Sequence, residues 1–370
     1  MTQAEANVAG VAPVGDGVVD AGDHPGPTTG TAPAPTKVRV LAIDAVRGLA
    51  IVILLLAVHP GPRDALPAQL EHPMWHGVTF ADLFFPLFLF AVGASMPFSA
   101  SASTGRSVAR RATLLTLIGI GLVSAKNLSI IIPGVLQHIA IAYVLAWLVL
   151  KLPWRAQVAV CAATVLGFWA AFLVTAGPGA DPWSRDGGTF AHAANSWFFG
   201  GFRTEGIPQS VISVVNVVAG AFAGRWVLEQ PDRRAVLRTA GLWAVGLVAA
   251  GLVMAQWVPL NKKLWSPSFT LLTCGTSFGW FALALWAIDM RGWRRWTRPL
   301  VELGRNAIAV YVLLMLAFAA IVPHRGPLDD VIASVVPWPT VVSLTWGVIW
   351  VALGWWFCHV LHERRIFIKV

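Results

Sequence analysis

His72 to Phe98 reads HPMWHGVTFADLFFPLFLFAVGASMPF. It sets four polar side chains, His72, Trp75, His76 and Asp82, directly against an apolar run long enough to enter a bilayer. An ionisable group at the mouth of a membrane helix is costly unless it is paired or faces water, so the cluster is a functional-site candidate by default. The rest of the chain reads as scaffold and access routes for it.

Composition sets the class. Of 370 residues, 56% are hydrophobic and 12% charged, and mean hydropathy is +0.67. A water-soluble domain of that composition would expose a large apolar surface, so the chain reads as an all-α polytopic membrane protein. Cys161, Cys274 and Cys358 lie far apart in apolar segments, a pattern that fits neither a disulfide framework nor a metal site. The net charge of +9 sits mostly in loops between apolar spans. It points to membrane orientation and away from nucleic acid.

Residues 1–36 are rich in Pro, Gly, Ala and Thr without an apolar period, which predicts a disordered tail ahead of one membrane domain over 37–370. The tail lacks the basic start, apolar core and cleavage site of a signal peptide. About ten spans follow, near 40–60, 82–100, 111–126, 133–151, 156–176, 208–228, 236–258, 266–289, 300–322 and 340–361. With these spans, nineteen Lys and Arg residues fall in loops on the N-terminal side of the membrane and seven on the other. That asymmetry predicts a multi-pass protein of the cell (inner) membrane with both termini cytoplasmic and His72 on the outer side.

Individual polar residues carry alternatives. Asp44 and Arg47 are spaced to pair on one helix face. His72 precedes a helix start marked by Thr79 and Asp82, where the dipole favours a neutral imidazole able to act as general base or acyl acceptor. Asp82 suits either a histidine partner or a helix cap. Gln137 and His138 read as hydrogen-bonding links between helices. Glu205 ends the long outward loop 177–207, and Asn261, Lys262 and Lys263 form a polar hinge. Trp75, Trp183 and Trp197 are candidate platforms for a planar ligand, whereas Trp154, Trp226, Trp265, Trp293, Trp296, Trp338 and Trp346 read as interfacial belt. Arg298, Arg305 and Asn306, with Arg294 and Arg295, form either a funnel for a phosphorylated ligand or simply positive-inside charge. No metal-binding spacing is present.

Seven motifs in order, LAIDAVRGLAIVILLLAVHPGP, HPMWHGVTFADLFFPLFLFAVGASM, IPGVLQHIAIAYVL, FRTEG, PLNKKLWSPSFTLLTCG, LGRNAIAVYVL and RRIFIKV, resemble the heparan-alpha-glucosaminide N-acetyltransferase family over Val38 to Val370. The resemblance implies a membrane acyltransferase that takes acetyl-CoA from the cytosol and acetylates the amine of a glucosamine-type sugar on the far side. It carries the catalytic role onto His72. With that reaction in view, the acceptor-side candidates are Trp75, His76, Asp82, Gln137, Glu205, Asn261 and Lys262, and the donor-side candidates are Arg47, Arg298, Arg305 and Asn306. Trp75 and Gln137 are the candidate oxyanion donors. A homodimer is compatible with it. The chain departs from the family pattern where an asparagine is expected before Pro-Gly: Val58 and His59 stand there, making His59 a second catalytic candidate. His138 replaces the usual arginine after VLQ, and Arg203 and Thr204 replace an Asp-Pro pair. An amino-sugar or N-acetylglucosamine permease without acyl transfer is the alternative reading.

Overall fold

The computed structural model describes residues 40–59, 61–62, 64–99, 104–127, 132–185, 188–324, 326–335 and 338–368. The expected tail over 1–36 lies outside them. Among the described residues the regular structure is helical, with a single isolated β-bridge between Gly77 and Asn261. The order is α1 Leu41–Ala57, α2 Phe84–Ser95, α3 Gly105–Asn127, α4 Val135–Val149, α5 Trp154–Thr175, α6 Phe190–Phe199 and α7 Ile207–Ile212. It continues with α8 Val214–Glu229, α9 Arg233–Met254, α10 Pro267–Ala284, α11 Arg298–Arg305, α12 Ala307–Ile321, α13 Gly326–Val335 and α14 Pro339–Glu363.

Every expected span has a helical counterpart. Eight segments are long and apolar enough to cross a membrane. The two shorter helices are α1, with 17 residues, and α4, with 15. The fold is therefore an all-α membrane bundle. Three details differ from the sequence reading. The span placed at 300–322 is broken at Asn306 (φ −120°, ψ 30°) into α11 and α12. The outward loop 177–207 contains α6, whose Thr189 cap accepts from His192 N and whose C-terminal Gly200 takes φ 68°. Trp265 and Trp346 are buried rather than interfacial. The Trp265 indole donates to Asn216 and the Trp346 indole to Asp329.

Burial separates an inner layer from a lipid-facing one. The span containing α2 and that formed by α7 and α8 are each 72% buried in protein, against 17% for α5 and for α9. Inside a bilayer helices associate through close packing rather than by the hydrophobic effect, so small residues mark the inner contacts. A Cβ on Gly220 would stand 1.9 Å from the Phe90 carbonyl oxygen, and one on Gly93 would stand 1.8 Å from that of Val217. Helices α2 and α8 therefore touch backbone to backbone, as α1 and α11 do through Gly48 and Gly304. This contact fixes α2, and with it the polar cluster at its start.

Replacing Gly220 with Ala must push α2 and α8 apart, at a cost of about 1–3 kcal/mol. Gly121, on α3, has open space where a Cβ would go. Thermal unfolding in detergent should show a lower Tm for Gly220→Ala and none of that loss for Gly121→Ala.

Candidate active site

The sequence left two roles open for Asp82, and its two oxygens divide them. Oδ2 accepts from Thr79 N (3.0 Å) and Thr79 Oγ1 (3.1 Å), closing the turn that starts α2. Oδ1 stands 2.7 Å from His72 Nδ1. A carboxylate only accepts, so Nδ1 carries the proton and Nε2 presents its lone pair. The Asp82 side chain is fully buried, whereas that of His72 is 43% exposed. An imidazole oriented by a buried carboxylate, with its other nitrogen turned to a cavity, has the arrangement of a general base.

Lys262 completes the cluster from 190 residues away. Its Nζ lies 3.1 Å from Asp82 Oδ1, 3.1 Å from His72 Nε2 and 3.4 Å from Nδ1. The hinge that carries it is strongly determined. Gly77, at φ 109°, donates to the Leu260 carbonyl. Asn261 donates through Nδ2 to His76 Nδ1, accepts from Leu264 N and receives cover from Ser266 Oγ on its own N–H. Trp265 adopts φ 53°, a strained conformation for a bulky residue that persists only where the surroundings enforce it. The His72 loop and this hinge thus form one unit.

Together with Pro73, Trp75, Gly77, Thr204, Glu205 and Lys263, these residues line a cavity of about 160 Å³. Burial pushes the Glu205 carboxyl up against the opposing pull of the Lys262 and His72 charges. Burial likewise pushes the Lys262 ammonium down, against the stabilising Asp82 and Glu205 carboxylates. Both shifts favour the neutral forms of groups that face one small space.

Other expected site residues lie elsewhere. His59 is buried where α1 meets α14, accepting from Gly61 N on Nδ1 and facing Ser343 Oγ at 3.2 Å on Nε2. Both ring nitrogens are engaged, and it does not line the His72 cavity. The Trp75 indole N–H donates to the Trp183 carbonyl (2.7 Å), which removes it as an oxyanion donor and leaves its ring as a wall. Trp183 is buried against Phe172, and Trp197 projects outward, 82% exposed. Gln137 is buried against α3 with both amide atoms unpaired, outside the cavity lining. His138 is buried against Ser213 Oγ at 2.8 Å. His76 serves the hinge through Asn261.

At the opposite end of α2, a second cavity of about 300 Å³ is lined by Asp44, Arg47, Ser95, Arg111, Arg305, Phe367 and neighbouring apolar groups. Arg47 pairs with Asp44 at 3.4 Å and also donates to the Gly304 and Ala91 carbonyls and to Ser95 Oγ. Arg305 Nε lies 3.8 Å from Asp44, and its Nη1 donates to His362. Arg111, one of the basic residues counted toward membrane orientation, stacks on Tyr143, and its buried Nε has no hydrogen-bond partner among the described residues. Of the remaining donor-side candidates, Arg298 is outside this lining and bound to Glu302 (2.7 Å) and Glu363 (2.9 Å). Asn306 holds the C-terminal segment through Ile366 O and Ile368 N.

An apolar seam leaves the basic cavity along α2. Phe88, Ala307 and Ile308 line both the basic cavity and a narrow space of about 20 Å³ that continues past Ala50, Leu54, Phe84 and Phe85 to Tyr311.

Residues 39–184 match the family model for the catalytic region of heparan-alpha-glucosaminide N-acetyltransferase. The sequence motifs point to the same family. The match contains His72 and Asp82 and stops before Glu205 and Lys262. Two curated relatives carry that name. The mouse protein is 25% identical over 354 residues, covering 74% of this chain and 53% of its own. The human protein is 24% identical over 411 residues, covering 90% of this chain and 60% of its own. The chain thus spans a little over half the length of these relatives.

The upward shift of Glu205 has a sign that can be checked. A carboxyl whose folded pKa lies above its unfolded value contributes stability at low pH and loses it as pH rises through the window above the ordinary 4.5. Glu205→Gln removes that loss. Its Tm relative to the parent should therefore climb as pH is raised from 4.5, and a difference that stays flat or falls contradicts the upward shift of this carboxyl.

Proposed function

We propose that the protein is a membrane-bound N-acetyltransferase that moves an acetyl group from acetyl-CoA to the amine of a glucosamine-type acceptor. The observation that carries this reading is the Asp82–His72 dyad, which turns a basic nitrogen into a small polar cavity at the start of α2. The basic cavity at the other end suits the phosphates of the donor. Arg111 offers a buried, unpartnered N–H there, and Arg47 and Arg305 add positive charge. The N-acetyltransferase names of the two relatives support the same class.

Acetyl-CoA supplies an activated acyl carbon at the end of a long, thin pantetheine arm. The seam is the route that would take such an arm, after Phe84, Phe85 and Phe88 rotate to widen it. The acceptor amine takes up the place at His72 Nε2 that Lys262 Nζ now holds. There Nε2 removes the amine proton while Asp82 stabilises the resulting imidazolium, a step contributing on the order of 10²–10⁴-fold. Glu205 lines the acceptor's side of the cavity, and the Trp75 ring offers a face to a pyranose. Acyl transfer through His72 itself would use the same nitrogen. His59 is assigned a structural role at the α1–α14 contact.

The proposed orientation follows the basic residues: both termini and the Arg47–Arg111–Arg305 cavity face the cytoplasm, and His72 faces the outer side of the cell membrane. In sealed vesicles, acetyl-CoA should then be consumed only from the face bearing the Arg234 loop, because its phosphates cannot cross the hydrocarbon.

Detergent-purified protein should release CoA thiol from acetyl-CoA when given glucosamine, without any gradient. His72→Ala should abolish that release in protein that still folds, with a Tm lowered by the loss of the 2.7 Å partner of buried Asp82. His59→Ala should instead lose about 1–3 kcal/mol of stability through buried hydrogen bonds while the folded fraction keeps its turnover. Normal turnover in His72→Ala contradicts the assignment. Saturable N-acetylglucosamine uptake into vesicles without CoA release would instead make the protein a permease.

A further inference from the structure

Lys262 and Lys263 are adjacent in sequence and differently disposed. Lys263 Nζ donates to the Met74 carbonyl at 2.6 Å, at the rim of the cavity. Lys262 Nζ lies inside, 3.1 Å from His72 Nε2, with its side chain only 16% exposed. A primary amine within hydrogen-bond distance of an oriented base, in the cavity where an acceptor amine would react, has the geometry of a substrate. The hinge hydrogen bonds through Asn261 and Ser266 hold it there.

Resting on the N-acetyltransferase reading, we propose that Lys262 is a self-acylation site: when no acceptor occupies the cavity, its Nζ takes the acetyl group and the enzyme silences itself. The balance is that of the main reaction. The Nζ lone pair attacks the thioester carbonyl carbon and a C–N bond forms. One Nζ proton passes to His72 Nε2. Collapse of the tetrahedral adduct breaks the C–S bond, and the departing thiolate takes the proton from Nε2 to leave as CoA thiol. Lys262 ends as a neutral amide. No oxidant or further reactant is required. Burial, which pushes the Lys262 ammonium down, enlarges the neutral fraction able to attack.

The product has two consequences. An acetyl group added within about 160 Å³ fills the position of the acceptor amine. Loss of the Lys262 charge also leaves the buried Asp82 carboxylate without its cationic partner. An acceptor amine protects by displacing Lys262 from Nε2.

The test uses the purified full chain in detergent, incubated with acetyl-CoA alone and read by peptide mass spectrometry and by residual CoA release. The expected result is one acetyl group on Lys262, none on Lys263, a parallel loss of turnover, protection by glucosamine and no modification in His72→Ala. Lys262→Arg keeps a positive charge toward Asp82 and offers no comparably acylable amine, so preincubation should no longer reduce its residual turnover. An unmodified Lys262 in protein that acetylates glucosamine overturns the self-acylation and leaves the enzyme reading intact. Equal labelling of Lys262 and Lys263, or labelling that survives His72→Ala, overturns it as mere chemical acetylation. Absence of CoA release under every condition counts against both proposals.

Discussion

A carboxylate taken out of water is tolerated only when its partners replace the lost hydration, and Asp82 is such a group. Thr79 supplies two hydrogen bonds, His72 an N–H and Lys262 a cation. Each partner comes from a different piece of chain, so satisfying one anion draws the His72 loop, the start of α2 and the hinge before α10 into a single unit. The same requirement orients the His72 imidazole. A neutral residue at position 82 would leave the imidazole without a fixed tautomer and Lys262 without a reason to approach it.

The helical scaffold serves this unit by holding α2 rigidly. Backbone contact through Gly93 and Gly220 places α2 against α8, and Gly48 and Gly304 place α1 against α11. Beside α1 and α2 runs the apolar seam that opens into a basic cavity. The C-terminal segment closes the basic end, since Asn306 holds Ile366 and Ile368 while Phe367 lies beside Arg305. The break at Asn306 that divides α11 from α12 thus has a use: it frees the amide to grip the tail.

Much of this was legible in the sequence because it is local. Apolar length revealed the bundle, and His72 and Asp82 stood out as polar groups before an apolar run. Their pairing depends on how the intervening loop folds back, which spacing does not determine. Lys262 lies 190 residues from His72, and only the tertiary hinge brings them together. His59 was attractive because it occupies a family position normally held by asparagine, yet packing against α14 engages both its nitrogens. Arg111 looked like ordinary positive-inside charge; its burial beside Tyr143 is a property of helix packing. The helix α6 could have been found, since Thr189 and Gly200 are recognisable start and stop signals.

The central claim is that one continuous path joins the basic cavity to His72. A structure of the protein bound to a non-transferable acetyl-CoA analogue tests it most directly. The account predicts phosphates among Arg47, Arg111 and Arg305, the pantetheine arm between Phe88 and Tyr311, and the acyl carbonyl beside His72. A nucleotide bound at the His72 end, or an acyl group that stops short of the Asp82–His72 dyad, would contradict it.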